Sequence, residues 1–410
     1  RQQIRCAEAW ALVPPAGGAS RGAGIAIGHP DTGYTLHPAL DGALDLVHDW
    51  DFVQGDDDAR DPMPRISPWP LPNPGHGTGT GSVIVGRKQD ERSILGVAPA
   101  ARLVPIRAVD SVVQFFDSDV ARAVHHARNA GCHVISMSLG GKGFFGLRRA
   151  IRVAIADGCI VMAAAGNYFG LVTAPASYDE CIAVAAVNAR EQPWVNSSHG
   201  RKVAISAPGE SVWVAGWNRE VQPHEPHIAQ TRGTSHAVAH LAGAAALWLA
   251  YHGRDNLIDH YGRNNLQTAF LEALRTAGHR RPNAWDSTSY GVGIVDAEQL
   301  LPAKPDLPAG FVEPPVDVPI DPVARIADAL TDLDADEVRR RLAAVLRADG
   351  PALDELLRRH GAQVYFRLLQ HPDVREQFVA EGDGFVDTTD ETRSKLASVA
   401  SPSLEADLVG

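Results

Sequence analysis

Between residues 23 and 300, short β-branched and small apolar runs alternate with Ala-rich stretches of helical period. That alternation narrows the fold more than any other feature of this 410-residue chain. The runs GIAIGHP, ARLVPIRAV, HVISMSL, IVMAAAG, IAVAAV and VAISAPG read as strands, with SDVARAVHHARNAG and GLRRAIRVAIADG as intervening helices. A strand apolar on both faces must be covered on both faces, which predicts an α/β, three-layer fold with a mostly parallel sheet between helices. In such sheets ligands and reacting groups gather beyond the carboxyl ends of the strands. The stretches HPDTG, SLGG, AAAGN and the loop before GTSHA then share one rim.

After YGVGIVDAEQLL the composition changes. Residues 302–322 are Pro-rich and acidic and read as an extended linker. Beyond it, Asp334 or Asp336 can cap a helix with Val338, Leu342, Val345 and Leu346 on one face. Leu353, Leu356 and Leu357, then Val364, Tyr365, Leu368 and Leu369, repeat the helical spacing. The expected organisation is an N-terminal extension at 1–22, an α/β domain at 23–301, the linker, a small all-helical module at 323–381, and a tail at 382–410. The tail has too little clustered apolar surface to fold alone and either frays or docks.

The net charge of −11 argues against nucleic acid or an anionic membrane surface as the main partner, since both reward clustered cations. Apolar stretches such as 236–250 are shorter than a bilayer span. Cys6, Cys132, Cys159 and Cys181 have no close pairing or metal-ligand spacing, so buried free thiols are preferred, with cross-strand pairing left open for an oxidising compartment. No leader pattern opens the chain at Arg1. A cytoplasmic location is expected, or a secreted one if a leader or pro-segment has been removed.

Three stretches carry the residue types that nucleophilic catalysis needs: Asp31 in HPDTGYTLHPAL, His76 in NPGHGTGTGSVIVG and Ser235 in RGTSHAVAHLAG. A serine hydroxyl is a poor nucleophile at neutral pH and requires a base within reach, itself oriented by a third group. Taken singly, Asp31 suits a strand-ending turn, the Gly-rich run a phosphate cradle without its Lys-Ser/Thr pair, and Ser235 or Thr234 a helix cap. Only the conjunction points to chemistry.

Together these stretches resemble the subtilisin-like serine proteases, or subtilases, over roughly residues 20–300. DTG with HPAL resembles the family's aspartate motif, HGTGTGSVIVG its histidine motif and GTSHAVAHLAG its serine motif; ISMSLGG, AAAGN, NSSHG and ISAPG follow in the expected order. The resemblance implies a serine endopeptidase in which Ser235 attacks, His76 transfers the proton, Asp31 orients the imidazole and Asn167 helps bind the oxyanion. It further implies that Ser138, Leu139 and Gly140 offer backbone to an extended peptide, and that Ala163, Ala164, Ala165 and Gly166 line the pocket for the residue before the cut. His236, Ala239 and Gly79 depart from frequent family residues without touching the triad, and His236 is read as packing rather than as a second base. The pro-domain of many secreted members is not seen before the first motif; it is expected to have been removed, or to be dispensable here.

The acidic run WDFVQGDDDARD carries Asp49, Asp51, Asp56, Asp57, Asp58 and Asp61 but fits no calcium-loop template. A solvated loop is preferred, with structural Ca²⁺ or attraction of basic substrates left open; no cofactor is required and no metal ligands are assigned. The partner expected is a protein or peptide substrate, with the helical module as an adaptor for a protein partner or as packing for the catalytic domain. Two other functions compete: a peptide ligase or macrocyclase on the same triad, and a silent binding scaffold.

Overall fold

The computed structural model describes residues 1–63, 73–114, 118–141, 145–168, 170–218, 225–307, 323, 335–357, 360, 364, 377–378 and 383–398. Two compact units divide the chain, 1–143 with 150–316 and 144–149 with 317–410.

In the first unit the six apolar runs form β1 (Ala26–Asp31), β3 (Arg102–Arg107), β5 (Val134–Met137), β7 (Ile160–Ala164), β8 (Ile182–Val187) and β9 (Val203–Pro208). Short edge strands β2 (Trp50–Asp51), β12 (His279–Arg280) and β13 (Ile294–Val295) complete a nine-stranded sheet in the order β12-β13-β9-β8-β7-β5-β1-β3-β2. Every pairing is parallel except β12 with β13. The two predicted helices are present as α3 (Ser118–Asn129) and α4 (Phe145–Ala156).

Alternation along β1 shows how both faces are covered. At Gly28 a Cβ would lie 2.5 Å from the Ala127 Cβ on α3, so only glycine fits beneath that helix. The next residue, His29, points the other way, to Thr80 on α2 (His76–Val85). On that second face α2 packs against α5 (Thr234–His252), which lies over β5, β7, β8 and β9. Every residue of α5 except Tyr251 is buried, so its Ala-rich, mostly apolar pattern belongs to a core helix.

The segment before β1 is part of this core. Ile4, Cys6 and Ala9 are buried, the last two on α1 (Cys6–Ala11), and the Trp10 indole donates to the Val97 carbonyl at 2.9 Å. An antiparallel hairpin, β10 (Val212–Asn218) with β11 (Glu225–Thr231), was not anticipated, because EPHIAQT is largely polar and half-exposed. All four cysteines are buried and free, and none of the described helices is long and apolar enough to cross a membrane.

The acidic run is tied into the fold at Asp49, Asp51 and Asp61, which are buried, while Asp56, Asp57 and Asp58 are exposed, as a solvated loop would have them. Asp51, fully buried, accepts from Arg107 Nη1 at 2.5 Å and from the Val53 and Gln54 amides, while Arg107 Nη2 reaches Asp110 at 2.6 Å. Among the described residues no cluster of His, Cys, Asp or Glu is arranged to hold a metal ion. Arg107→Met leaves the Asp51 carboxylate buried without its cation, and such a break costs roughly 3–5 kcal/mol. The expected result is a large drop in urea midpoint with an unchanged m-value; a midpoint equal to wild type would contradict this assignment.

In the second unit the helix Ala335–Leu346 buries Val338, Leu342, Val345 and Leu346 with Leu353, Leu357, Val364, Phe378 and Leu396. Tyr365, Leu368 and Leu369 lie outside the described residues. The segment read as a tail contains the helix Asp383–Ser398, which docks through Leu396 and through Arg393, whose Nη1 donates to the Val345 carbonyl at 2.9 Å.

Candidate active site

The parallel sheet delivers the singled-out residues to one rim. Asp31 is the last residue of β1, Ser138 follows β5, Asn167 follows β7 by three residues, and His76 and Ser235 are the first and second residues of α2 and α5. Glycines permit the close approach: at Gly77 a Cβ would lie 2.2 Å from the Gly33 carbonyl oxygen, so the residue after His76 must be glycine for α2 to begin against the turn after Asp31.

The Nδ1 of His76 lies 2.8 Å from Asp31 Oδ1, which also accepts from the Thr32 amide at 2.7 Å. Asp31 is fully buried. Burial alone would raise its carboxyl, but His76 outweighs this by charge and hydrogen bond, aided by the Thr32 amide, so its pKa lies below the ordinary value. For His76 burial works against protonation, yet Asp31 and then Asp61 raise it above the ordinary 6.5. A base of that kind is neutral only above its raised pKa.

Ser235 is nearly buried. Its hydroxyl donates to the Ser138 carbonyl at 3.2 Å, while the Ser138 hydroxyl donates to the Ser235 carbonyl at 3.1 Å. The His76 ring lies 6.4 Å from that of His236, the residue after Ser235, which brings it to the start of α5. Burial, then the charges of His76 and Arg1, push His236 down to about 3, so it stays neutral. That fits packing rather than proton transfer.

Asn167 has a settled orientation. Its Oδ1 accepts from the Thr234 amide at 2.9 Å and from the Thr234 hydroxyl at 2.8 Å, which leaves the Nδ2 group beside Gly233 at the start of α5. A carboxamide so anchored is a preorganised donor.

Of the remaining residues, Ser138, Leu139, Ala163, Ala164 and Ala165 are buried and Gly140 and Gly166 half-buried. Ala164 belongs to the main core and Ala165 packs with Ala185 and Val203. The Gly140 amide donates to the Val112 carbonyl at 3.0 Å, within a short parallel pairing of β4 (Val113–Gln114) with β6 (Gly140–Gly141). A peptide that uses this amide must displace Val112.

Sequence reasoning passed over Asp61, which it grouped with the solvated acids. It is buried and accepts from the Thr32 hydroxyl at 3.0 Å and the Gly75 amide at 2.6 Å, joining the turn after Asp31 to the residue before His76. No local signal in the sequence separates it from its acidic neighbours.

Residues 22–293 match the profile of the subtilase family. The chain belongs to that family. This subtilase is 33% identical over 256 residues to thermitase of Thermoactinomyces vulgaris, an alignment covering 62% of this chain and 82% of that protein. It is 35% identical over 241 residues to a thermophilic serine proteinase of Bacillus sp. strain AK1, covering 58% of this chain and about half, 54%, of the relative. Among solved structures it shares its fold with proteases from Pseudoalteromonas arctica, at a TM-score of 0.60 and 24% identity, covering 74% of this chain and 94% of that one.

Proposed function

We propose that this subtilase is a serine endopeptidase in which Asp31, His76 and Ser235 form the reacting unit and Asn167 the oxyanion donor. The observation that carries the reading is the partly buried 2.8 Å contact between Asp31 and the ring of His76, beside the helix start that bears Ser235. In the reaction Ser235 Oγ bonds to the peptide carbonyl carbon while its proton passes to His76 Nε2. The charge on the carbonyl oxygen meets the Asn167 amide and the Ser235 backbone N–H at the positive end of α5. The C–N bond then breaks, the amine leaves with the proton, and water repeats the sequence on the acyl-enzyme. The Ser235 hydroxyl first has to leave the Ser138 carbonyl; hydrogen bonds of this kind often tighten only with substrate in place. Ser138, Leu139 and Gly140 are proposed as the strand edge that the peptide joins, and Ala163, Ala164, Ala165 and Gly166 as the floor and wall of the preceding side-chain pocket.

The test is labelling of the full chain by a fluorophosphonate probe, followed by mass analysis of peptide products. Labelling of the wild type that disappears in His76→Ala, with products heavier than substrate by one water, is the expected outcome. An unlabelled wild type sinks the nucleophile assignment, and products without added water would mark a ligase instead. For Asn167→Leu, kcat should fall about 10²–10³-fold with KM little changed, the size of loss known for such a donor within this family. Equal loss in KM would place Asn167 in ground-state binding.

A further inference from the structure

On the far side of Asp31 from His76 stands a second imidazole with no part in the proposed reaction. His29, two residues earlier on β1 and fully enclosed, has Nδ1 3.2 Å from the Ser136 carbonyl oxygen and Nε2 2.9 Å from Thr80 Oγ1 and 3.6 Å from Asp31 Oδ2. The Ser136 carbonyl can only accept, which favours the proton of a neutral His29 on Nδ1 with Nε2 accepting from Thr80, against the opposing pull of the Gly77 carbonyl and Asp31 on the ring. Thr80 has one proton for four neighbours: His29 at 2.9 Å, the His76 carbonyl at 3.0 Å, and the Gly77 carbonyl and Asp31 Oδ2, both at 3.4 Å. The shortest of these contacts is to His29. Both good donors to Asp31, the Thr32 amide and His76, are on Oδ1.

We propose that His29 is a positioning residue for the Asp31–His76 pair. As a neutral ring anchored on Ser136, it draws the Thr80 hydroxyl to itself and leaves Asp31 Oδ2 without a donor, so that the carboxylate's charge is kept for His76. The inference rests on the assignment of Asp31 and His76 proposed above. A carboxylate with fewer donors is a stronger partner for its imidazole. Burial keeps His29 neutral against the pull of Asp31. The groups facing the cluster are Asp31 from β1, His76 and Thr80 from α2, the Ser136 carbonyl from β5, Asp61 beyond His76, and neutral His236 from α5. Were His29 to gain a proton it would compete with His76 for one carboxylate.

The test begins with the wild-type chain carrying ¹⁵N-histidine. His29 is expected as the Nδ1–H tautomer, neutral throughout the range in which His76 titrates; an Nε2–H tautomer overturns the proposal. The second measurement is the pH dependence of the fluorophosphonate labelling rate. Thr80→Val takes away the hydroxyl, leaves Nε2 facing Asp31 Oδ2 directly and favours protonation there. The acid-limb midpoint should fall by roughly one pH unit, the lower end of what a charge within 4–6 Å produces. Adding His29→Leu removes the competitor, and the midpoint should return toward wild type. An unmoved midpoint in Thr80→Val, or a double variant that stays at the single variant's value, refutes the coupling, because loss of packing alone would not reverse. The tautomer measurement needs no turnover, so it decides the His29 assignment even if Ser235-dependent labelling were absent, a result that would count against the proposed function instead.

Discussion

Ser235→Ala should lower kcat about 10⁶-fold while leaving the fold intact. The size follows from the division of labour: without the hydroxyl no acyl-enzyme forms, and His76 and Asp31 have nothing to activate. His76→Ala should cost about as much, and the double variant little more, because members of one reacting unit are not additive. Helix α5 should tolerate the change, since Ser235 makes one side-chain hydrogen bond as donor and its backbone N–H is retained. Steady-state hydrolysis of a peptide library, with thermal melting as the control for folding, measures both. A loss of only tenfold at unchanged melting temperature would mean that another group attacks.

Asp31→Asn should be nearly as damaging, at about 10⁴-fold in kcat, and it carries a second signature. Asp31 is the main influence raising His76 against burial. With a neutral amide in its place burial prevails, and His76 falls below its ordinary value. The sign can be worked out at each limb. Wild-type activity should rise with pH through a midpoint above 6.5, because only neutral imidazole accepts the serine proton. In Asp31→Asn that midpoint moves down while the plateau collapses, since an amide can also donate to Nδ1 and hold the ring in the wrong tautomer. A pH–rate profile of kcat/KM separates the two effects. A collapsed plateau with an unmoved midpoint would show that Asp31 orients the ring without setting its basicity.

The central sheet was legible because parallel strands covered on both faces become continuous apolar runs, and six of them stand out in this chain. The candidate site was legible because its residues lie at the ends of those runs or at helix starts, in short motifs rich in glycine. What escaped notice has physical reasons. The β10–β11 hairpin is half-exposed and its second strand is polar, so no apolar run marks it. Strands β2 and β12 are two residues long, too short for any period. His29 sits inside an apolar run, and only strand alternation places it on the same face as Asp31. Asp61 resembles its solvated neighbours until the turn brings Thr32 and Gly75 to it. The helix Asp383–Ser398 has few apolar residues and gains its place through docking rather than through its own pattern.

The near-total burial of α5 has a consequence for a protein that can cut others of its kind. A protease cleaves extended chain, so a buried helix becomes a substrate only after it opens. Exposed loops open locally at little cost, whereas α5 lies over four central strands and can be freed only when the unit as a whole comes apart. In a concentrated solution of the enzyme, first cuts therefore fall in the loops. The segment holding Ser235 survives until global unfolding, and nicked molecules retain that helix in place. Autolytic inactivation then depends on whether those early cuts detach Asp31 or His76, whose turns are joined through buried Thr32 and Asp61, rather than on any attack at Ser235 itself.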